Sequence, residues 1–323
     1  MKKRILAAAA AAVLGFSSVG HAIVFGEEDS SNVYSNVASL RGIKVDNETP
    51  RTSCTGSLLY MDSKKIVFLT AAHCTDAWSA DIASGISKAV GVSLDQTNSR
   101  TDIKNYIRDG VPISLPKNKG LVQELDYGLV VFPINAKNIN DETFEDRWHI
   151  SNIPPVTVAP NMDYLQNVID NVSNPQKNLF FTATGYGYGD VFPVPGQETG
   201  PATPTHPNFS TFPVRYVADK LSFNAYAPNT HVLQLSQNIA KDENGTCSGD
   251  SGAPIFYLDQ DLGKIVVAVV SSGDIPCRAT TNGPAFSDKA AFDFIDCAKV
   301  SGDANAVKSC VISKFPSGVI IHN

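Results

Sequence analysis

Beyond its first two dozen residues the chain has no hydrophobic run long enough to cross a bilayer, and even the closing "GVIIHN" holds only a few apolar residues. It has no cluster of basic residues, which removes the usual footprint for nucleic acid or anionic lipid. CxxC and HExxH are both missing, so no structural zinc knuckle or zinc-peptidase helix is encoded, and no metal or cofactor is expected. Acidic residues do gather at Glu27, Glu28 and Asp29, and again as Asp95, Asp102 and Asp109. Neither group has EF-hand spacing, and both read as solvated surface charge. No segment repeats another, and no sustained helical periodicity runs through the middle of the chain.

What is present starts with Lys2, Lys3 and Arg4, then "ILAAAAAAVLGF", then "GHA", with small Gly20 and Ala22 where a signal peptidase reads. Residues 1–22 are expected to be a secretory signal. A transmembrane helix is the alternative, and the run is short for one. Removing the segment takes away three cations and no acids, moving the formal net charge from −6 to −9. Such a product points to protein or peptide partners, with no nucleic acid and no membrane, and a monomer is expected. Six cysteines are an even number, which predicts three disulfides in an oxidising, secreted or periplasmic compartment. The Lys-rich signal looks bacterial, so the N-x-[S/T] sites at Asn47, Asn171, Asn208 and Asn244 are expected to be bare.

After Ile23 the pattern is one of short β-rich runs. "CTGSLLYM" and "KIVFLTAA" flank the polar break Asp62-Ser63-Lys64, a hairpin signal. "YGLVVFPI", "NLFFTATGYGYG", "HVLQLS", "GAPIFYL" and "KIVVAVVSSG" repeat the theme, predicting an all-β sandwich or barrel. The polar stretch from Asn135 to Lys177 reads as an interdomain connection. Residues 189–213, rich in Pro, Gly and Thr, read as a long loop. Near the end, "KAAFDFIDCAKV" has helical spacing.

Three segments carry chemistry: "TAAHC" with His73, "LDYGLVVF" with Asp126, and "CSGDSGAP" with Ser251. A serine hydroxyl is a weak nucleophile at neutral pH and needs a base, which in turn needs an acid to hold its tautomer. Taken singly, each segment has an ordinary structural reading as a buried histidine, a strand-preceding turn or a tight loop. In the order His, Asp, Ser they point to nucleophilic catalysis.

With "IVFG", "TGYG" and "VSSG" these segments resemble the trypsin/chymotrypsin-like serine proteases, in that family's order from Ile23 to about Lys289. The resemblance implies two antiparallel six-stranded β-barrels, here residues 23–136 and 177–323, joined by 137–176 and followed by a C-terminal helix and extension. It implies His73 as general base, Asp126 as its orienter and Ser251 as nucleophile, with the amides of Gly249 and Ser251 forming an oxyanion hole. It pairs Cys54 with Cys74 and Cys247 with Cys277. Cys297 and Cys310, beyond the resemblance, are left to tie the extension to the last helix.

The same resemblance sets Gly245 at the base of a specificity pocket, with Ser271, Gly273 and Ala285 as substrate-binding positions. A base without charge implies an uncharged, apolar or aromatic residue before the scissile bond, unless Asp242, Glu243 or Asp274 enters the pocket. Ala253, Ser272 and Tyr186 depart from residues common in the family, and none of them removes a catalytic group. An N-terminus starting at Ile23 is expected to fold inward and pair its ammonium with Asp250, so that signal cleavage also activates the enzyme. Two rivals remain: a GDS-type serine esterase on an α/β fold, and a protease-like binding protein without turnover.

Overall fold

The computed structural model describes residues 23–24, 26–45, 50–97, 103–116, 125–187, 214–274 and 277–316. The expected signal, the 189–213 loop, Asp102 and the sequons at Asn47 and Asn208 lie outside them. Strand β1 (Glu27–Glu28) precedes β2 (Val37–Lys44), β3 (Pro50–Met61) and β4 (Lys65–Thr70). Helix α1 (Ala72–Ala83) then leads to β5 (Ser87–Ser93), β6 (Ile107–Ser114) and β7 (Gly128–Pro133). Strands β2 to β7 close into an antiparallel barrel in the order β2-β3-β4-β7-β6-β5.

The apolar runs of β4 and β7 explain that closure. They pair Ile66 with Phe132, Val67 with Val131 and Phe68 with Val130. Ile66, Phe68, Val130 and Phe132 join one core with Leu40, Leu58 and Val92. Their alternates Val67, Leu69, Leu129 and Val131 join a second core shared with the other half of the molecule. Strands buried on both faces read as continuous apolar sequence, because neither side needs a polar partner for water.

The connection holds α2 (Phe144–Trp148), β8 (Thr157–Val158), α3 (Tyr164–Asn171) and α4 (Pro175–Asn178). The second half comprises β9 (Phe180–Gly185), β10 (Tyr216–Ala227), β11 (Val232–Ser236), β12 (Pro254–Asp259), β13 (Gly263–Val269), β14 (Ser272–Gly273) and β15 (Thr280–Pro284). Its sheet runs β14-β15-β11-β10-β9-β12-β13-β8, with β1 added to β10. Six of these strands form the expected second ring, but one seam is minimal. Between β15 and β13 there is a single bridge, Ala268 to Ala285, reinforced by the Phe286 N–H on Val267 O at 2.8 Å. One pairing is parallel, β8 with β13, and departs from the all-antiparallel expectation.

The chain ends in two helices where one was expected, α5 (Lys289–Cys297) and α6 (Ala304–Lys314). All three disulfides form as anticipated: Cys54–Cys74, Cys247–Cys277 and Cys297–Cys310. The helical extension is docked on the first barrel. Lys65, fully buried, donates from Nζ to Asp62 Oδ2 at 2.8 Å and to Val300 O at 2.5 Å. A buried ammonium is tolerated only with such partners.

The first residues cross to the second half, where Val24 pairs with Gly245 and Glu27 with Val217. Asp29 corrects the surface-charge reading of its cluster. It is buried, accepts the Arg215 Nε–H at 2.8 Å, and holds the amides of Val33 and Tyr34. Arg215 in turn donates to Val37 O and Leu94 O of the first barrel, so the pair ties the seam between the halves. Among the described residues no helix is long and apolar enough to cross a membrane.

Candidate active site

His73 is the second residue of α1, directly after β4, and Asp126 lies two residues before β7. Because Thr70 of β4 pairs with Gly128 of β7, the ladder delivers both residues to the same rim of the barrel. Asp126 is fully buried. Its Oδ1 accepts the His73 amide at 2.8 Å, and its Oδ2 lies 2.6 Å from His73 Nδ1 and accepts the Ser271 hydroxyl at 2.6 Å. A carboxylate at Nδ1 requires the proton there, which leaves Nε2 as the basic nitrogen. The His73 side chain is 37% exposed, so that nitrogen is reachable.

Ser251 arrives from the second half, in the loop before β12. Its carbonyl accepts the Thr55 amide at 2.9 Å and sits 3.9 Å from Cys74 Sγ, next to His73 in the chain. The Ser251 loop thus lies against the Cys54–Cys74 disulfide, next in the chain to His73. Among the described residues Ser251 Oγ forms no hydrogen bond, so the expected imidazole–hydroxyl bond to His73 is not made. Such contacts are often long without substrate and tighten when it binds.

Gly249 has φ of +97°, a region where a Cβ is strained, and this is why glycine precedes the Asp-Ser pair. Among the described residues, the amides of Gly249 and Ser251 donate to no protein acceptor. Two free amides flanking a serine are what an oxyanion requires.

Asp250 points the other way, into the protein. It is fully buried; Oδ1 accepts the Gly187 amide at 2.7 Å and Oδ2 the Cys247 amide at 3.0 Å. Burial pushes its carboxyl up to about 7 against the pull of those two donors. Among the described residues no cation pairs with it. Ile23 is buried, and Val24 next to it exchanges both backbone hydrogen bonds with Gly245 at 2.8 and 2.9 Å and packs with Cys247 and Cys277.

The pocket positions are only partly convergent. Gly273 pairs with Thr281 across the β14–β15 ladder. Ala285 lies one residue past β15, buried in the core with its amide on His231 O at 2.7 Å. Gly245 has no room for a side chain, since a Cβ there would lie 2.3 Å from Gln237 Oε1. Gln237 is buried; Oε1 accepts the Thr246 amide at 2.9 Å and the Thr281 hydroxyl at 2.5 Å. Nothing in the sequence separated Gln237, Thr246 or Thr281 from ordinary strand residues.

All three nearby carboxylates are otherwise engaged. Asp242 is exposed and pairs with Lys220 at 2.8 Å. Burial would raise Glu243, but the Ser222 and Ser236 hydroxyls and the Asn238 amide hold it below its usual range. Burial works against Asp274 too, yet the amides of Arg278, Thr280 and Ala279 keep it low. Asn244, one of the four sequons, is buried with its amide on Asp219 at 2.9 Å, which closes it to glycosylation in the folded state.

Among the described residues one group, Cys54, His73 and Cys74, gathers three ligand atoms within 4.8 Å. Two of those atoms are disulfide sulfurs, which are not thiolate ligands.

No family model matches the chain, and no curated protein matches it. Among solved structures it is similar to a collagenase, HL collagenase, at 19% identity, with 82% of this chain and 94% of that chain covered and a TM-score of 0.49.

Proposed function

We propose that this chain is an exported serine endopeptidase that cleaves peptide bonds through an acyl-enzyme on Ser251. The single observation that carries the reading is a fully buried Asp126 holding His73 Nδ1 at 2.6 Å on one barrel, with Ser251 of the other half set beside Cys74, the residue after His73, and the amides of Gly249 and Ser251 without a protein acceptor among the described residues. His73 Nε2 takes the Ser251 proton as Oγ attacks the scissile carbonyl, and Asp126 stabilises the imidazolium. The Gly249 and Ser251 amides receive the oxyanion. His73 then protonates the leaving amine and activates the water that frees the acid product.

Asp250 supports an activation step at the other end of the loop. A buried carboxyl raised to about 7, with Val24 paired to Gly245 and packed on Cys247 of the same loop, is a receptor for a cation that a free Ile23 ammonium supplies. Export through cleavage after Ala22 releases that ammonium, and three disulfides suit the compartment it enters. The uncharged Gly245 and the bonded carboxylates around it favour an uncharged side chain before the scissile bond.

Mass-spectrometric mapping of cleavage sites in a peptide library by the mature protein tests activity and preference together. Cuts after uncharged residues, lost in Ser251→Ala, are expected. Cuts only after Arg or Lys would overturn the pocket reading, and no cuts with intact fold would overturn the endopeptidase.

A further inference from the structure

We propose that Thr55 is a positioning residue that fixes the oxyanion loop from across the barrel interface; the inference rests on the peptidase reading of Ser251. Thr55 lies on β3, next to Cys54, fully buried. Its hydroxyl donates to Gly249 O at 3.1 Å and accepts the Tyr186 amide at 3.1 Å. Its own amide donates to Ser251 O at 2.9 Å, and its carbonyl accepts the Thr70 hydroxyl at 2.7 Å. One residue of the first barrel therefore grips the carbonyls on both sides of Asp250.

The main-chain contacts do not depend on the Thr55 side chain, whereas the grip on Gly249 O is that side chain's alone. Gly249 is the residue whose positive φ sets the direction of its amide, and glycine resists no rotation by itself. Asp250 is anchored inward by the Gly187 and Cys247 amides, and its own N–H donates to Cys247 O at 3.0 Å, so the peptide joining Gly249 to Asp250 is held on its N–H side. The Thr55 hydroxyl holds the C=O side of that same peptide, so the plane next to the Gly249 amide is fixed at both ends. Thr55 is also bonded through Cys54 to Cys74, the neighbour of His73, so the same strand registers base and oxyanion amides against each other. Preorganised donors act only if they need not reorient during reaction.

The test compares Thr55→Val, which keeps shape and loses the donor, with Thr55→Ser, which keeps the donor. Thr55→Val should lower kcat about tenfold, the scale of one neutral hydrogen bond, with KM within about twofold. Affinity for a peptidyl boronate, whose adduct oxygen occupies the oxyanion position, should fall by the same factor. Thr55→Ser should restore both to within about threefold. If valine does not fold, Thr55→Ala carries the same comparison. A melting temperature lowered with kcat and boronate affinity unchanged, or failure of serine to rescue, overturns the inference. Wild-type protein that neither cleaves peptides nor reacts with a fluorophosphonate overturns the peptidase reading and this inference together, whereas labelled wild type with an unaffected valine variant overturns this inference alone.

Discussion

Among the described residues two sets of serine, histidine and aspartate can be compared, and they are built differently. In the second, His231 Nδ1 lies 3.0 Å from Ser287 Oγ and its Nε2 lies 3.5 Å from Asp288 Oδ2. By residue type and contact it looks the more complete, since the Ser251 hydroxyl is unbonded. Yet Asp288 is 29% exposed and caps α5 through the Ala290 amide, whereas Asp126 is dry. The Ser287 hydroxyl also accepts the Tyr226 O–H at 2.7 Å, and its amide is taken by Ala285 O at 2.8 Å. Among the described residues the corresponding amide of Ser251 donates to no acceptor. Three side chains in reach of one another therefore do not by themselves define a reactive site; the proposed one adds unoccupied backbone donors and a desolvated acid.

The comparison breaks most visibly at the serines. Ser251→Ala or His73→Ala should lower kcat/KM by several orders of magnitude, on the order of 10⁴ to 10⁶, with the fold intact. Ser287→Ala should leave it within about twofold. Peptide turnover and fluorophosphonate labelling read both. Labelling that persists in Ser251→Ala and vanishes in Ser287→Ala would invert the assignment.

The acids give the next effect. Asp126→Asn cannot hold the His73 tautomer as a carboxylate does, and should cost on the order of 10⁴ in kcat. Asp288→Asn keeps a capping oxygen and should leave turnover unchanged. Equal rates for wild type and Asp126→Asn would remove the orienting role.

Asp250 comes third. Leaving one member of a buried ion pair alone typically costs about 3–5 kcal/mol, so Asp250→Asn, or a chain kept blocked before Ile23, should fold and be nearly inactive. The pH dependence separates the two forms. In the blocked chain Asp250 titrates near 7 when folded against 3.8 unfolded. The folded state then holds its proton longer, so stability contributed below the unfolded value is lost as pH rises towards and through 7. In the cleaved chain the pair raises the ammonium, whose contribution is full below its unfolded value of about 8 and fades above it. Melting temperatures from pH 5 to 8 should fall for the blocked form relative to the cleaved one. Parallel curves, with full activity in the blocked chain, would sink the activation step.

Much of this was legible before the structure. The runs "KIVFLT" and "GLVVFP" announced strands, and the segments around His73, Asp126 and Ser251 and four of the cysteines carried a recognisable order. What stayed hidden depends on pairs far apart in sequence. Asp29 looked like surface charge because Arg215, its partner, is 186 positions away. Thr55 sat in an ordinary strand until Gly249, 194 positions on, reached its hydroxyl. Gln237 closed the space beside Gly245, and Lys65 recruited Val300, through folded contacts that no local pattern encodes. Local sequence sets the strands; long-range packing decides which polar groups meet.

The smallest effect tests the second cluster for what it is. Asp288 accepts the Ala290 amide at 2.7 Å at the start of α5, a helix whose far end is bonded through Cys297 to α6. Asp288→Ala removes that cap and also the acid facing His231, while touching nothing near Ser251. A lost side-chain cap costs about 0.5–2 kcal/mol. In a protein of this size about 1 kcal/mol should lower the melting temperature by roughly 2–4 °C. Asp288→Asn or Asp288→Ser should recover most of it, since either supplies an oxygen to the Ala290 amide. Peptide turnover measured well below the melting transition should not move in any of the three. If Asp288→Ala instead lowers kcat while its melting temperature is unchanged, the cluster acts on the reaction, and the distinction between the two constellations fails.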